Sequence, residues 1–416
     1  MAGRFISIKS RDGKTFQAYL ALPKGDAGDG AGKGPGLVLC QEIFGVNAYI
    51  RELADRYAEE GYVVLAPDLF WRIEPGIELG YSSGDWQRAF ALFQSFDVDL
   101  GMEDVGASVD ALRALPECVG GVGVVGYCLG GKLAALSVTR TSADVAVGYY
   151  GVGLEQHVEE LAGEHPPLVL HIAEHDKYAP AEVRERLATQ LGEHPDITLY
   201  SYPDADHAFA RPGDHFNRSA TQLAHQRTIG AVRRVIGPHF DFASLWETHC
   251  AYEFAIREID PLMKTMVAEP YVNHIPTMTG GVGHPQLAHF YRNHFVNSNP
   301  PDTRLIPISR TIGATQLVDE LLFCFTHTTP VDWMLPGVAP TGRRVEIPLV
   351  AIVRFRGGKL EHEHIYWDQA SVLVQIGLLD PKGLPVAGIE TARKLQDENL
   401  PSNTLMPNWS FGTRAQ

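Results

Sequence analysis

GVGVVGYCLGG, residues 121–131, is the stretch on which the fold reading turns. Its first six residues, Gly121–Gly126, form the short, apolar, valine-rich run of a buried central strand. Leu129–Val138 has the spacing of a helix packed through small residues. Only a sharp reversal fits between them, and Cys128 stands at its apex. A nucleophilic side chain at a strand–turn–helix junction is the nucleophile-elbow arrangement, here with Cys where Ser is commoner. Gly126 and Gly130 flank the apex because strand and helix can approach so closely only where no Cβ intervenes. The helix that starts after Cys128 turns its free N–H groups and positive dipole end toward the sulfur, which favours thiolate over thiol.

Outward from the elbow the rhythm repeats. Gly36–Cys40 and Tyr62–Ala66 read as buried strands around a helix at Tyr49–Glu60, and a helix at Met102–Leu115 leads into the elbow strand. Leu168–Ala173 and Thr198–Tyr202 read as strands around a helix at Ala181–Leu191, and Gln222–Ile236 closes the unit as a helix. This is the pattern of a parallel sheet wrapped by helices. Candidate partners for Cys128 lie just past the later strands: Asp176 in a turn after LVLHIA, and His207 in DADHAF after TLYSY. Nucleophile, acid, histidine is the chain order of the α/β-hydrolase fold. Leu129 N–H becomes the first oxyanion donor, and Ile43 N–H, in the loop QEIFG after an early strand, the second. Glu42 sits in that loop, although its charge opposes thiolate formation unless it accepts a proton. Each residue also has a bland reading: a glycine-rich turn around Cys128, a capping role for Asp176, a surface position for His207. Joint occurrence in this order favours catalysis. Asp206 is read as a turn acid, and Cys40 and Cys118 as core or turn thiols.

The chain has 416 residues, which implies two domains. Its formal charge of −15 offers no basic block for nucleic acid or an anionic membrane. Five scattered cysteines (Cys40, Cys118, Cys128, Cys250, Cys324) suggest neither a disulfide framework nor a thiolate zinc site, and point to a reducing compartment. Met1–Asp12 alternates like a strand and lacks the apolar core of a signal peptide, so a cytoplasmic protein is expected. The helical pattern stops at Gly237-Pro238, which sets the expected domains at 1–238 and 239–416. The second half opens with a helix at Leu245–Ile259 and short helical pieces. It continues in long strand-like runs, Thr303–Ile312, Gln316–Thr329, Val345–Arg356 and Lys359–Trp367, the pattern of an α+β unit.

QEIFG, APDLF (66–70), GYCLGG (126–131), GYYG (148–151) and HAFAR (207–211) together resemble the dienelactone hydrolases, or carboxymethylenebutenolidases, over residues 5–236. The resemblance implies a Cys128–His207–Asp176 triad. Glu42 would hold the resting thiol, take its proton when substrate binds, and swing away. Arg211 would bind a substrate carboxylate, where the residue alone reads as a solvated surface arginine. The substrate-binding set is Arg211, Trp86, Phe90 and Tyr127. Trp86 and Phe90 are departures: by ungapped spacing they fall where the family has a second carboxylate-binding arginine and a substrate-contacting tyrosine. Ala208 replaces a serine that often follows the histidine. Arg72 and Arg88 are possible substitutes for the missing cation. A less anionic or larger lactone or ester is therefore expected, with no cofactor.

DPLMKTMV, EPYVNHIPTMTGG, FYRNHF and GGKLEHEHIYWDQA resemble the SnoaL-like members of the nuclear transport factor 2 superfamily, which implies a smaller, cone-shaped α+β domain with an apolar pocket, often dimeric. A homodimer is expected on that ground. His274, His284, His364 and Asp368 are candidate pocket residues, and His327 reads as a core histidine. His362, His364 and Tyr366 alternate to one face of their strand, opposite Glu361, Glu363 and Ile365. Paired histidines or acid/base groups are preferred there to a metal site. Two alternatives accompany the ester hydrolase: a second cyclase-, isomerase- or dehydratase-type reaction in this domain, or a domain that only binds or dimerises.

Overall fold

A computed structural model describes residues 3–23 and 32–409. The chain divides into two compact units, Met1–His239 and Phe240–Gln416. The first is built on eight strands: β1 (Arg4–Lys9), β2 (Thr15–Ala21), β3 (Gly34–Cys40), β4 (Val63–Pro67), β5 (Cys118–Tyr127), β6 (Val145–Tyr149), β7 (Leu168–Ala173) and β8 (Ile197–Tyr202). They lie in the order β1-β2-β4-β3-β5-β6-β7-β8. β1 and β2 pair antiparallel at one edge, and every pairing from β4 to β8 is parallel. The helices are α1 (Ala48–Glu59), α2 (Ser83–Gln94), α3 (Val98–Arg113), α4 (Leu129–Arg140), α5 (Val158–Leu161), α6 (Ala181–Leu191) and α7 (Arg218–Ile236). β3, β4 and β6 are buried along their whole length, as strands covered by helices on both faces must be. This is the α/β-hydrolase architecture. β6 and α2 are regular elements that the periodicity reading passed over.

The glycines around the elbow are fixed by contact. A Cβ on Gly126 would lie 1.9 Å from the carbonyl oxygen of Gly130, one on Gly130 2.3 Å from that of Cys40, and one on Gly131 2.3 Å from that of Tyr149. β5 and α4, together with β3 and β6 beside them, therefore touch backbone to backbone.

In the second unit, α8 (Phe242–Cys250), α9 (Ile259–Lys264) and α10 (Gly283–Phe290) accompany a six-stranded mixed sheet ordered β10-β9-β14-β13-β12-β11. Its strands are β9 (Met266–His274), β10 (Thr279–Val282), β11 (Arg304–Ile312), β12 (Gln316–Thr326), β13 (Arg344–Arg356) and β14 (Lys359–Trp367). β14 and β9 pair parallel and the rest antiparallel. Met266–His274 is thus a strand, not one of the short helical pieces read there. Glu269-Pro270 interrupts its alternation, and pairing with β14 overrides the local signal. The expected helix at Leu245–Ile259 ends at Cys250 and continues as a wider π-turn over Ala251–Ile256; Tyr291–Phe295 is wound the same way. Register shifts in β11, β13 and β14 mark bulges, where a sheet bends. After α11 (Gln369–Gln375), α12 (Glu390–Gln396) packs Ala392 and Leu395 on Leu322 and Cys324, so part of the tail is ordered where the sequence has few periodic signals. No helix among the described residues is long and apolar enough to cross a membrane.

Gly126→Ala is expected to destabilise the first unit by about 3 kcal/mol or more, because backbone has no flexible end to move aside. Thermal denaturation followed by circular dichroism should show its midpoint lowered by roughly 6–12 °C. An unchanged midpoint would mean that the close approach of β5 and α4 is not rigid.

Candidate active site

Cys128 occupies the N-cap of α4 with φ 56° and ψ −113°, a backbone conformation that non-glycine residues seldom adopt. Its N–H donates to the Tyr149 carbonyl at 3.0 Å, its carbonyl accepts from Gly131 and Lys132, and the Gly130 N–H donates to the Gln41 carbonyl at 3.0 Å. Strand, loop and helix thus clamp the strained residue from three sides. The N–H groups of Leu129 and Ile43 have no hydrogen-bond partner among the described residues. Two adjacent unpaired donors beside a nucleophile suit a developing oxyanion.

His207 Nδ1 donates to Asp176 Oδ2 at 2.7 Å, and Asp176 also accepts from the Tyr178 N–H at 2.8 Å. That bond directs Nε2 away from the acid; the edge-on rings of Tyr150 and Tyr178, at centroid distances of 5.1 and 4.8 Å, hold the imidazole between them. Burial alone would lower the pKa of His207. The charge and hydrogen bond of Cys128 and those of Asp176 outweigh it and push the histidine up to about 10. The histidine is therefore protonated at neutral pH.

Glu42 is buried next to this pair. Burial raises its pKa, while the charges of Arg211 and His207 hold it down. Its nearest cation is Arg211, Nη1 to Oε2 3.5 Å, a charge contact without hydrogen-bond alignment. The Arg211 guanidinium lies over three aromatic rings, Tyr81 at 4.4 Å, Phe44 at 5.2 Å and Trp86 at 5.6 Å. It is not the solvated arginine of the bland reading. Gly45, at φ 79°, folds its loop against Ile77, and the Leu79 N–H donates to the Phe44 carbonyl at 2.9 Å, which fixes the segment leading into α2. α2 then presents Trp86, Phe90 and Phe93 to the same cleft.

The cleft encloses about 420 Å³ of empty space, part of it open to solvent, and is lined by Glu42, Ile43, Cys128, His207, Arg211 and the α2 aromatics, with Val152, Tyr178 and Ala208. Tyr127 does not line it. Strand alternation sends its side chain to the face opposite Cys128, where its hydroxyl meets that of Tyr57 at 2.9 Å and its ring stacks on Tyr149. Neither Arg72 nor Arg88 reaches the cleft: Arg72 makes a two-pronged pair with Asp104 and lies over Trp71, and Arg88 pairs with Glu74. Asp206 pairs with His215 and not with His207.

The second unit holds a cavity of about 450 Å³. Of the candidates there, His274 lines it, its Nδ1 donating to the Thr279 carbonyl, 3.1 Å away, with its pKa lowered by burial to about 4. The other three do not. His284 Nε2 donates to the Val267 carbonyl at 2.7 Å. Asp368 is exposed and caps α11. His364 stacks on His362 on the outer face of β14, because the strand turns Glu363 and Ile365 inward instead. His327 is buried with Nδ1 at Thr341. The polar side chains that do line the cavity, besides His274, include Glu253, Glu363 and Tyr291, and the buried His249 lies against the two carboxylates. A His and Glu four apart on one amphipathic helix, 249 and 253, was the available signal, but it also describes an ordinary solvated helix face.

The family model described as "Dienelactone hydrolase family" matches residues 16–236. A carboxymethylenebutenolidase of Pseudomonas sp. (strain P51) is 39% identical over 233 residues, covering 55% of this chain and 94% of the relative. Carboxymethylenebutenolidase 1 of Cupriavidus pinatubonensis is 38% identical over 235 residues, covering 56% and 97%. Among solved structures, a dienelactone hydrolase-like promiscuous phosphotriesterase from metagenomic libraries shares 20% identity with a TM-score of 0.47, over 57% of this chain and all of that one. A family match over more than half the chain, with relatives matched over nearly their whole length, identifies the chain as a hydrolase that belongs to the dienelactone hydrolase family.

Proposed function

We propose that the first unit hydrolyses a lactone or activated ester through Cys128, His207 and Asp176. The observation that carries this reading is His207, bonded to Asp176 and sharing a cleft with Cys128 at a strained elbow. The thiolate adds to the substrate carbonyl carbon, and the resulting oxyanion is received by the N–H groups of Leu129 and Ile43. Collapse breaks the ester C–O bond, and the leaving alkoxide takes the proton of His207. Acylation removes the sulfur's negative charge and with it the largest influence raising His207. The imidazole then becomes a competent base, accepts a proton from water, and the acyl-enzyme is hydrolysed with return of the thiolate. Glu42 turned toward Arg211 has the position of an acid that has released the thiol.

Among the described residues lining the cleft, Arg211 is the one permanent cation, already paired with Glu42 and faced by rings. We infer a substrate with a bulky or aromatic acyl part and less anionic character than a carboxylate-bearing dienelactone. In the second unit, the SnoaL-like reading with a reaction of its own is favoured over a purely binding role by the buried titratable groups in its cavity.

Cys128 should be the one fast-reacting thiol. Burial pushes Cys40 up to about 12 and raises Cys118, Cys250 and Cys324 as well. Iodoacetamide at pH 7 is expected to add one label, located by peptide mapping at Cys128, and His207→Ala should slow labelling at least tenfold or so. Uniform labelling, or unchanged esterase activity in Cys128→Ala, would refute the mechanism.

His207, raised to about 10, stays protonated through the neutral range and loses its proton as pH rises past that value. The alkaline limb of the labelling-rate profile should therefore lie near pH 10. Asp176→Asn removes part of the cause and should move that limb to lower pH; a limb that stays in place would separate Asp176 from the histidine.

With matched substrates, kcat/KM for a neutral aryl ester is expected to exceed that for a carboxylate-bearing lactone. Arg211→Leu should depress the second by more than the first. The reverse ranking would restore the anionic substrate.

A further inference from the structure

We propose that His249, Glu253 and Glu363 form a binding site for one divalent transition-metal ion at the wall of the second unit's cavity. Their ligand atoms lie within 4.8 Å of one another, with His249 Nε2 3.3 Å from Glu253 and 3.2 Å from Glu363. Nitrogen and oxygen ligands at about 2.1 Å from a tetrahedral ion stand roughly 3.3 Å apart, so these contacts have the length of a coordination edge. They do not have the alignment of hydrogen bonds. His249 Nε2 and Glu363 Oε1 are both buried without a hydrogen-bond partner among the described residues.

The imidazole is also oriented as metal ligands are. Its Nδ1 lies 2.6 Å from Thr265 Oγ1, and that hydroxyl donates its own hydrogen to the Leu262 carbonyl at 2.6 Å. Nδ1 must therefore carry a proton, which leaves Nε2 as the ring atom that can ligate an ion between the two carboxylates. Charge balance points the same way. Two buried carboxylates face an imidazole, and among the described residues no lysine or arginine lines the cavity. A divalent ion would neutralise both carboxylates at once. One nitrogen and two carboxylate ligands suit zinc, manganese or iron(II) better than calcium or magnesium. The remaining coordination positions would open toward Trp246, Phe254, Phe323 and Trp333, walls fitted to an uncharged organic molecule that presents a carbonyl or hydroxyl oxygen. The π-wound segments carrying Glu253 and Tyr291 both line this cavity, and such turns recur at functional sites.

The test is metal binding by the full-length protein, stripped with a chelator and then titrated with Zn²⁺ and Mn²⁺, with metal content measured by mass spectrometry. One ion per chain is expected, together with a rise in unfolding midpoint. Stoichiometric binding should be lost in Glu253→Gln and in Glu363→Gln, and weakened about 10–100-fold in Thr265→Val. It should persist in Cys128→Ala, which separates the proposal from the hydrolase mechanism. It should also persist in His362→Ala/His364→Ala, which removes the stacked histidines on the outer face. An X-ray absorption spectrum of the loaded wild type covers the case in which a glutamine variant misfolds: one imidazole with oxygen ligands is expected. The proposal is overturned by no binding at equimolar metal, by binding that survives both glutamine substitutions, by loss of binding in the outer-face double variant, or by sulfur or several imidazoles in the spectrum.

Discussion

The first unit depends on a backbone that Cys128 cannot adopt without help. An L-residue at φ 56° and ψ −113° stays there only because its surroundings cost more to rearrange than the strain it stores. Those surroundings are the carbonyls of Cys40, Gln41 and Tyr149 and the bare Cα atoms of Gly126, Gly130 and Gly131. The central strands β3, β5 and β6 supply them, which is why the candidate site sits at the most buried part of the sheet. The same geometry leaves the Leu129 N–H unpaired and lifts the sulfur to within reach of His207.

Each unit buries carboxylates, and each must deal with the charge. In the cleft, Glu42 has a permanent cation, Arg211, whose own desolvation is offset by three aromatic faces. In the second unit Glu253 and Glu363 face His249, with the Tyr291 hydroxyl also at Glu253. The first arrangement is complete within the protein. Among the described residues, no lysine or arginine lines the second cavity, which sets its carboxylates apart from Glu42.

The candidate site of the first unit was legible because its signals are local: a glycine-framed cysteine, and an acid and a histidine each just beyond a strand. Tyr127 was misjudged by giving adjacency to Cys128 more weight than alternation along β5. In the second unit, the alternation of β14 was readable but not which face would be buried. Choosing Glu363 and Ile365 over His362 and His364 puts a carboxylate inside, against the usual ordering by polarity. His249 and Glu253 carry no signature apart from Glu363, and the closure that unites them is not a periodic property. Arg72 and Arg88 could be excluded from the cleft only by seeing the acids that hold them.

The parallel pairing of β14 with β9 also has a kinetic side. His249 and Glu363 stand more than a hundred residues apart, and Glu363 reaches its place only when the last strand of the sheet docks between β13 and β9. Contacts that close such long loops pay their entropy before any packing rewards it. The cavity's charged wall is accordingly among the last features of the second unit to assemble. During synthesis, its helix must wait with His249 and Glu253 uncovered until Lys359–Trp367 has left the ribosome.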